Sequence, residues 1–215
     1  ALQLNRLNAC IEDASKAIQL NARQSSAYAM RGAAYFTARR IPEALRDLTR
    51  AIELNPKEMS AYFNRSAILI GQERYTEAIA DLDRTIQLAS SMPHILVQAY
   101  RQRASAKQYY NQNDTTVEHD LMAALRLFPN DYITLNNLGQ LYMFQRQYVQ
   151  ASSILSKKIA LQPDDLNNYI LLGFASVQNR DFGAAINAYS ETLKREPSDI
   201  KALGYRAEAY YFAGE

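Results

Sequence analysis

Apolar residues recur along this chain with the period of an α-helix. In the segment SSAYAMRGAAYF, Tyr28, Gly32 and Tyr35 fall at positions i, i+4 and i+7, so they share one helix face. A second helix is predicted to begin with Pro42, because a missing N–H is tolerated in the first helical turn. It is predicted to end before Pro56, since proline cannot continue the hydrogen-bond ladder. The pattern predicts two helices joined by a short turn.

The same pattern returns every 34 residues. A fixed period between about 20 and 50 residues is typical of stacked helical repeats, in which each unit packs only on its neighbours. The sequence therefore predicts a solenoid. The residue pairs related by this offset include Tyr28 and Tyr62, Ala44 and Ala78, Gly139 and Gly173, Ala151 and Ala185, and Pro163 and Pro197.

These residues resemble the tetratricopeptide repeat family, whose consensus has bulky, small and proline positions at the same spacing. The resemblance implies an all-α fold, a right-handed superhelical solenoid of antiparallel helix pairs. Small residues are expected where two helices touch at close range. Lys158 departs from this pattern, because it stands where a small residue is usual. The first full repeat carries Tyr28, Gly32, Tyr35, Ala44, Leu48, Ala51 and Pro56 at the consensus positions.

We expect one array over residues 1–215, with about five full repeats and two half repeats. Because the chain begins with Ala and neither end resembles a polar capping repeat, we expect a piece of a longer array. The predicted units are a second helix alone at 1–24, repeats at 25–58 and 59–92, an irregular repeat at 93–131, repeats at 132–165 and 166–199, and a first helix alone at 200–215.

The third repeat is irregular. Its alignment requires about four extra residues, from Pro93 to Leu96, which predicts a lengthened helix or a change of superhelical pitch. Within the repeat, Asp114 or Thr115 is the expected N-cap of the second helix.

The resemblance also implies a binding surface, because the first helix of each repeat lines the concave groove in this family. Asn and Gln side chains offer donors and acceptors that match a peptide backbone, and aromatic side chains offer apolar contacts. The alternative is that the amides are solvated and that the aromatic rings pack between neighbouring first helices. The candidate peptide-binding residues are Phe63, Asn64, Arg101, Gln102, Asn136, Asn137, Gln140, Phe144, Asn167 and Phe174.

Chaperone-binding members of the family hold a C-terminal carboxylate with lysine, asparagine and arginine at five positions. Asn64 occupies the middle position here, but the lysines and the arginine are missing, so no charge-assisted grip of that kind is expected. A register slip in the irregular repeat would bring Arg101 or Arg103 inward. The other four positions hold Ala29, Ala33, Gln98 and Gln102.

Composition excludes several classes of function. The 24 basic and 22 acidic residues are interleaved, as in Arg46, Asp47 and Arg50, which indicates a solvated face and no nucleic-acid partner. The longest apolar run, around residues 169–177, is shorter than the roughly 18 residues of a membrane helix, so no direct membrane insertion is expected. The single cysteine, Cys10, is expected to be a buried packing thiol. It fits a reducing, cytoplasmic compartment, and a secreted solenoid without disulfides would have the same composition.

No motif indicates chemistry. His94 and His119 lack partners at metal-ligand spacing, and no phosphate loop or catalytic constellation is present. We therefore predict no enzyme activity, no catalytic residue, no metal and no cofactor. The favoured hypothesis is a scaffold that binds an extended or helical peptide segment of a partner protein. The alternatives are self-association through the array ends, and a substrate-docking arm of an enzyme whose catalytic domain lies outside this sequence.

Overall fold

The structure, a computed structural model, describes residues 2–214, with side chains from residue 5 onwards. The outermost residues of the predicted array, Ala1 and Glu215, lie outside the described part. Within it the chain forms twelve helices and no strand. The helices are α1 (Leu2–Leu20), α2 (Ser25–Thr37), α3 (Ile41–Leu54), α4 (Met59–Gly71), α5 (Tyr75–Leu88), α6 (Pro93–Tyr110), α7 (Thr116–Leu127), α8 (Tyr132–Phe144), α9 (Tyr148–Leu161), α10 (Leu166–Gln178), α11 (Phe182–Arg195) and α12 (Ile200–Ala213).

The helices alternate between two kinds. The even-numbered ones are called first helices below and the odd-numbered ones second helices. The first helices α2, α4, α8 and α10 have 13 residues each, whereas α6 has 18 and begins at Pro93. The extra residues of the irregular repeat therefore lengthen α6. Asp114 accepts hydrogen bonds from the backbone N–H and the hydroxyl of Thr116 at the start of α7.

Four of the turns from a first to a second helix have the same construction. One residue adopts a left-handed conformation, and the next N–H donates back to a carbonyl five residues earlier, which ends the first helix. This bond joins Arg40 to Tyr35 at 2.8 Å and recurs 34 residues later between Arg74 and Leu69 at 2.9 Å. The left-handed residues are Arg39, Glu73, Arg146 and Arg180, with φ of 61°, 60°, 57° and 60°.

Glycine is required where two helices of a pair approach most closely. A Cβ on Gly32 would lie 2.8 Å from Cγ of Leu48, and one on Gly173 would lie 2.4 Å from the ring of Tyr189. Both distances are shorter than van der Waals contact, so the backbones can approach only without a side chain.

The chain consists of two compact units, Ala1–Leu127 and Phe128–Glu215. The first unit contains α1 to α7 and has a core built around Tyr35, Leu48 and Ile68. The second contains α8 to α12, with Tyr189 and Ala209 in its core. The helix pairs agree with the all-α class predicted from the sequence, whereas the repeat boundaries and the single array stay a prediction.

Candidate functional site

The first helices of the second unit form one side of a pocket of about 530 Å³. Asn136, Gln140 and Met143 reach it from α8, and Asn167 and Leu171 reach it from α10. Three of the predicted peptide-binding residues therefore line a single cavity, in which amide groups stand beside apolar side chains.

The pocket also contains Lys158, which the sequence analysis identified as a departure from the small residues of the repeat. Its side chain is only 5% exposed and crosses from α9 towards α8. There Nζ donates to Oδ1 of Asn136 at 2.9 Å and lies 5.2 Å from the centre of the Tyr132 ring. Burial lowers the pKa of the Lys158 amine, and the negative charge of Asp165 acts in the opposite direction. A buried cation is thus part of the pocket wall.

Asp165 lies at the start of α10 and links the pocket residues. Its Oδ2 accepts from the Tyr132 hydroxyl at 2.9 Å and from Nδ2 of Asn168 at 3.0 Å. Its Oδ1 accepts from the backbone N–H of Asn167 at 3.2 Å, which caps the helix. Burial, together with this carboxylate, raises the pKa of the Tyr132 hydroxyl. These bonds hold the phenol and the carboxylate in one orientation.

The remaining candidates of the second unit lie on the same two helices. Phe144 on α8 is 55% exposed and Phe174 on α10 is 42% exposed. The Phe174 ring stands edge-on to Tyr148, with 6.3 Å between centroids. Asn137 is half-buried, and no hydrogen bond to its side chain is found within the described residues. A large part of both aromatic rings is therefore open to a ligand.

The first unit holds the other four candidates, on α4 and α6. Nδ2 of Asn64 donates to the carbonyl of Ser60 in its own helix at 2.8 Å. The Ser66 hydroxyl donates to Oε1 of Gln102 at 3.4 Å, which joins the two helices. Phe63, like Arg101, is half-buried. Some of the hydrogen-bonding capacity of these amides is thus used within the protein.

The first unit also contains a series of ion pairs between helices. An arginine of each first helix meets an aspartate of the following second helix, and it also bonds to the preceding second helix. The N–O distances are 2.6 Å for Arg31 and Asp47, 2.8 Å for Arg65 and Asp81, and 2.5 Å for Arg103 and Asp120. The partners on the preceding helix are Ser15 at 3.1 Å, Thr49 at 3.2 Å and Asp83 at 2.5 Å.

These pairs correct one interpretation made from the sequence. Asp47 is 1% exposed, so assigning it to a solvated face of interleaved charges was wrong. The carboxylate is buried because the Arg31 guanidinium, donating through Nε and Nη2, satisfies both of its oxygens. The hydrogen bond to Asp47 raises the pKa of Arg31.

The tetratricopeptide repeat model of protein families matches residues 12–93 and 171–215, more than half of the chain. The chain belongs to the tetratricopeptide repeat family. Proteins of this family are in general non-catalytic scaffolds for protein interactions, and the fold implies protein partners. No curated protein matches the chain.

Solved structures show the same tetratricopeptide fold. YrrB, described as a TPR protein with an unusual peptide-binding site, superposes with a TM-score of 0.74 at 16% identity, over 92% of this chain and 99% of its own. The C-terminal part of a TPR repeat-containing protein from Cytophaga hutchinsonii gives 0.73 at 20% identity, over 97% and 82%. PilF of Pseudomonas aeruginosa gives 0.71 at 16% identity, over 96% and 92%. The predicted all-α tetratricopeptide fold is confirmed, and at these identities the likeness extends to the fold alone.

Among the described residues, no group of three or more His, Cys, Asp and Glu side chains could hold a metal ion. No helix in that part of the chain is long and apolar enough to cross a membrane. Cys10 is half-buried and lines a separate pocket of about 520 Å³ with Met30.

Lys158, Tyr132 and Asp165 lie outside the groove-facing positions of the first helices that were predicted from the sequence. Lys158 belongs to a second helix, and the other two lie at helix starts. The one feature of the sequence that could have indicated a role for Lys158 in the pocket is its long side chain at a repeat position that usually holds a small residue. Its flexible four-carbon stem is long enough to reach the neighbouring helix.

Proposed function

We propose that this protein is a non-catalytic scaffold and that the second unit binds a peptide segment of a partner protein between α8 and α10. The observation that carries the proposal is the convergence of Asn136, Gln140 and Asn167 in one pocket. Pockets that bind ligands combine apolar walls with a few polar groups, and this pocket has that composition.

The chemistry of the pocket suits a peptide. Gln140 and Asn167 are exposed, and each side chain offers a carbonyl acceptor and two N–H donors to a peptide backbone. Met143 and Leu171 offer flexible apolar contact to a ligand side chain. The exposed rings of Phe144 and Phe174 would lose water-accessible area on binding, which favours association.

The first unit provides a second set of candidates, Phe63, Asn64, Arg101 and Gln102. We assign it a smaller role, because amide groups of Asn64 and Gln102 are already bonded within the protein. YrrB, a relative in fold, is a TPR protein with a peptide-binding site, and that use of the fold supports the proposal in general terms.

The test begins with peptides selected from a random dodecapeptide phage library on the whole chain. Their affinity is then measured by fluorescence anisotropy for the double variant Gln140→Ala/Asn167→Ala. Each lost amide hydrogen bond contributes about 1 kcal/mol, so the double variant should bind about ten-fold more weakly or worse. The matched control is Gln150→Ala/Asn187→Ala, which removes the same residue types from exposed positions on α9 and α11.

Both variants change exposed side chains, so both should keep the circular dichroism spectrum and the melting temperature of the parent. Equal affinity of the parent and of Gln140→Ala/Asn167→Ala would move the peptide site away from this pocket. An equal loss of affinity in the control Gln150→Ala/Asn187→Ala would show that peptide binding does not depend on this pocket in particular.

Self-association is a second candidate function, supported by the exposed apolar residues of α12. Ile200, Tyr211 and Phe212 are all exposed there. Sedimentation velocity over a hundred-fold concentration range tests it with the variant Tyr211→Ser/Phe212→Ser. A parent that stays monomeric throughout eliminates self-association as the function. The role of a docking arm for an enzyme stays a prediction.

A further inference from the structure

We propose that the pocket between α8, α9 and α10 recognises a carboxylate of the bound peptide, with Lys158 as its cationic ligand. The inference rests on the proposed function, because it names the chemical group that the same site takes. The observation behind it is a buried ammonium group that has a neutral partner, in a pocket whose other donors are amides.

The position of Lys158 shows that the side chain is not required to build the helix pair. The other second helices carry small residues at the corresponding place, and each of them still packs against a first helix. The lysine instead extends away from its own backbone and ends beside Asn136 on α8. The residues at the corresponding place are Ala17, Ala51, Thr85, Ala124 and Thr192.

Lys158 differs from other buried cations of this chain in having no carboxylate of the described part as an ion-pair partner. In the first unit, Lys107 has a carboxylate oxygen of Asp120 at 2.9 Å, and Arg65 has one of Asp81 at 2.8 Å. Within the described residues no carboxylate lies within 4.0 Å of the Lys158 amine. Asp165 acts on this charge from a greater distance, but the ammonium group forms no ion pair with a described residue, so an anion that enters the pocket is bound strongly relative to a neutral group.

The ammonium group keeps bonding capacity for a ligand. It has three N–H donors, and Oδ1 of Asn136 accepts one of them. Gln140 and Asn167, on either side of the pocket, add neutral N–H donors that can bond to the second carboxylate oxygen. Met143, Leu155 and Leu171 provide apolar wall for the aliphatic carbons attached to a carboxylate.

Asp165 also lines the pocket and determines which anions fit. Its oxygens are engaged by the Tyr132 hydroxyl, Asn168 and the backbone of Asn167, so the carboxylate is held in place. Its negative charge offsets part of the attraction of Lys158 for an anion, and a doubly charged phosphate loses more solvation on entering the pocket than a singly charged carboxylate does. We therefore assign the site to a singly charged carboxylate, presented by an acidic side chain or by a chain terminus.

The experiment titrates the whole chain with four probes and follows the NMR signals of the Lys158 amine and of the Gln140 and Asn167 amides. N-acetylglutamate N-methylamide carries a side-chain carboxylate, and N-acetylglutamine N-methylamide is its neutral counterpart. N-acetylleucine carries a terminal carboxylate, and N-acetylleucinamide is its neutral counterpart. We expect saturable shifts with at least one carboxylate probe. The dissociation constant of the matching amide should be about ten-fold or more higher than that of the carboxylate, because the amide lacks the charge-assisted hydrogen bond.

The two carboxylate probes distinguish the source of the group. Stronger binding of the glutamate derivative assigns the pocket to acidic side chains, and stronger binding of acetylleucine assigns it to a chain terminus. Equal shifts with the carboxylates and their amides, or no saturable shifts with any probe, overturn the proposal. Methyl phosphate should bind more weakly than the carboxylate probe that binds more tightly, and tighter binding of methyl phosphate overturns the assignment to a carboxylate.

The variant Lys158→Met keeps an unbranched, flexible side chain, slightly shorter than that of lysine, and removes its charge. It should weaken binding of the carboxylate probe about ten-fold or more and leave the amide probes unchanged. Lys157→Met removes a charge from the exposed neighbour on α9 and should have no effect. Lys158→Gln is the second variant, to be used if Lys158→Met does not reproduce the parent circular dichroism spectrum.

The outcome for Lys158 is separable from the outcome for the proposed function. Library peptides that bind Lys158→Met as tightly as the parent, yet lose affinity in Gln140→Ala/Asn167→Ala, would refute the carboxylate site and retain the peptide site. Peptides that are insensitive to the amide variant would refute the peptide site, whatever the result with Lys158.

Discussion

Arg31 and Arg65 in the first unit and Leu138 and Leu172 in the second stand at the same position of their 34-residue repeats. In the first unit each arginine forms an ion pair with a buried aspartate 16 positions further along the chain. In the second unit the residues 16 positions further along are Ile154 and Ala188, both buried. The position that carries an ion pair in the first unit therefore carries buried apolar residues in the second. A buried ion pair and apolar residues of similar volume are often close in free energy, so the fold accepts both.

The aspartates that bond across helices and those that cap helices are distributed differently between the two units. In the first, Asp47, Asp81 and Asp120 are buried beside arginine, while α2 to α6 begin without a side-chain cap. In the second unit, aspartate accepts hydrogen bonds from the first N–H groups of α8, α10, α11 and α12, each worth about 1 kcal/mol. The capping residues are Asp131, Asp165, Asp181 and Asp199. The two units reach the same fold with different polar interactions.

The largest expected effect comes from converting an ion pair of the first unit into the apolar pair of the second. Asp81→Leu should lower the free energy of unfolding by about 3 kcal/mol, because the Arg65 side chain, only 22% exposed, loses its counter-ion. The double variant Arg65→Leu/Asp81→Leu should return to within about 1 kcal/mol of the parent. Urea denaturation measures both.

Glu77→Leu is the control, since it breaks the exposed pair with Arg74 and should leave the unfolding midpoint unchanged. A double variant as unstable as the single one would show that the ion pair is required by the fold of the first unit, and the comparison between the units would fail.

A smaller effect is expected from adding one methyl group at the close contacts. Gly173→Ala should destabilise the second unit by about 2 kcal/mol, because the new carbon would lie 2.4 Å from the buried ring of Tyr189. Gly139→Ala, at the same repeat position, meets Ile154 at 3.4 Å and should change stability by about 0.5 kcal/mol or less.

Thermal denaturation of the two variants compares these contacts. Gly32→Ala in the first unit, with Leu48 at 2.8 Å, should fall between them, since a leucine side chain can move more easily than a tyrosine ring. Equal melting temperatures for Gly139→Ala and Gly173→Ala would contradict the assignment of the close approach to Tyr189.

The smallest effect concerns the buried cation that distinguishes the second unit. Lys158→Met should stabilise the protein by about 1 kcal/mol at neutral pH, because burial of the charged amine opposes folding. The pKa of the folded amine is lowered, so the unfolded chain binds more protons between that pKa and the ordinary value of 10.5. The stability of the parent relative to Lys158→Met should therefore rise with pH across that window.

Urea denaturation from neutral to alkaline pH tests this dependence. Tyr132 and Asp165 also face the pocket, but both are present in the parent and in the variant, so their titration contributes similarly to each. Lys157→Met should show no such change relative to the parent. A difference between parent and Lys158→Met that stays constant with pH would exclude an energetic cost of the buried charge.

Most of the fold was predictable from the chain because the repeat is local. Gly32, Ala44 and Ala51 were expected to be small, and the structure places all three in close contact between helices. The site was predictable in part. Repeat positions selected Asn136, Gln140 and Asn167, which the structure brings into one pocket, whereas no pattern indicated that Lys158 would point into the same cavity.

The sequence by itself determined the helix pairs, their 34-residue period and the places where helices touch, because hydrophobic spacing and proline act within a few turns of chain. Only the tertiary structure decided which charges are buried. Arg31 and Asp47 lie 16 residues apart on different helices, and hydrophobic spacing does not distinguish a buried polar residue from a solvated one. The same holds for Lys158, whose environment is made by Asn136 and Tyr132 on the neighbouring helix. A charge acquires its partner, and with it its role, only when the helices pack.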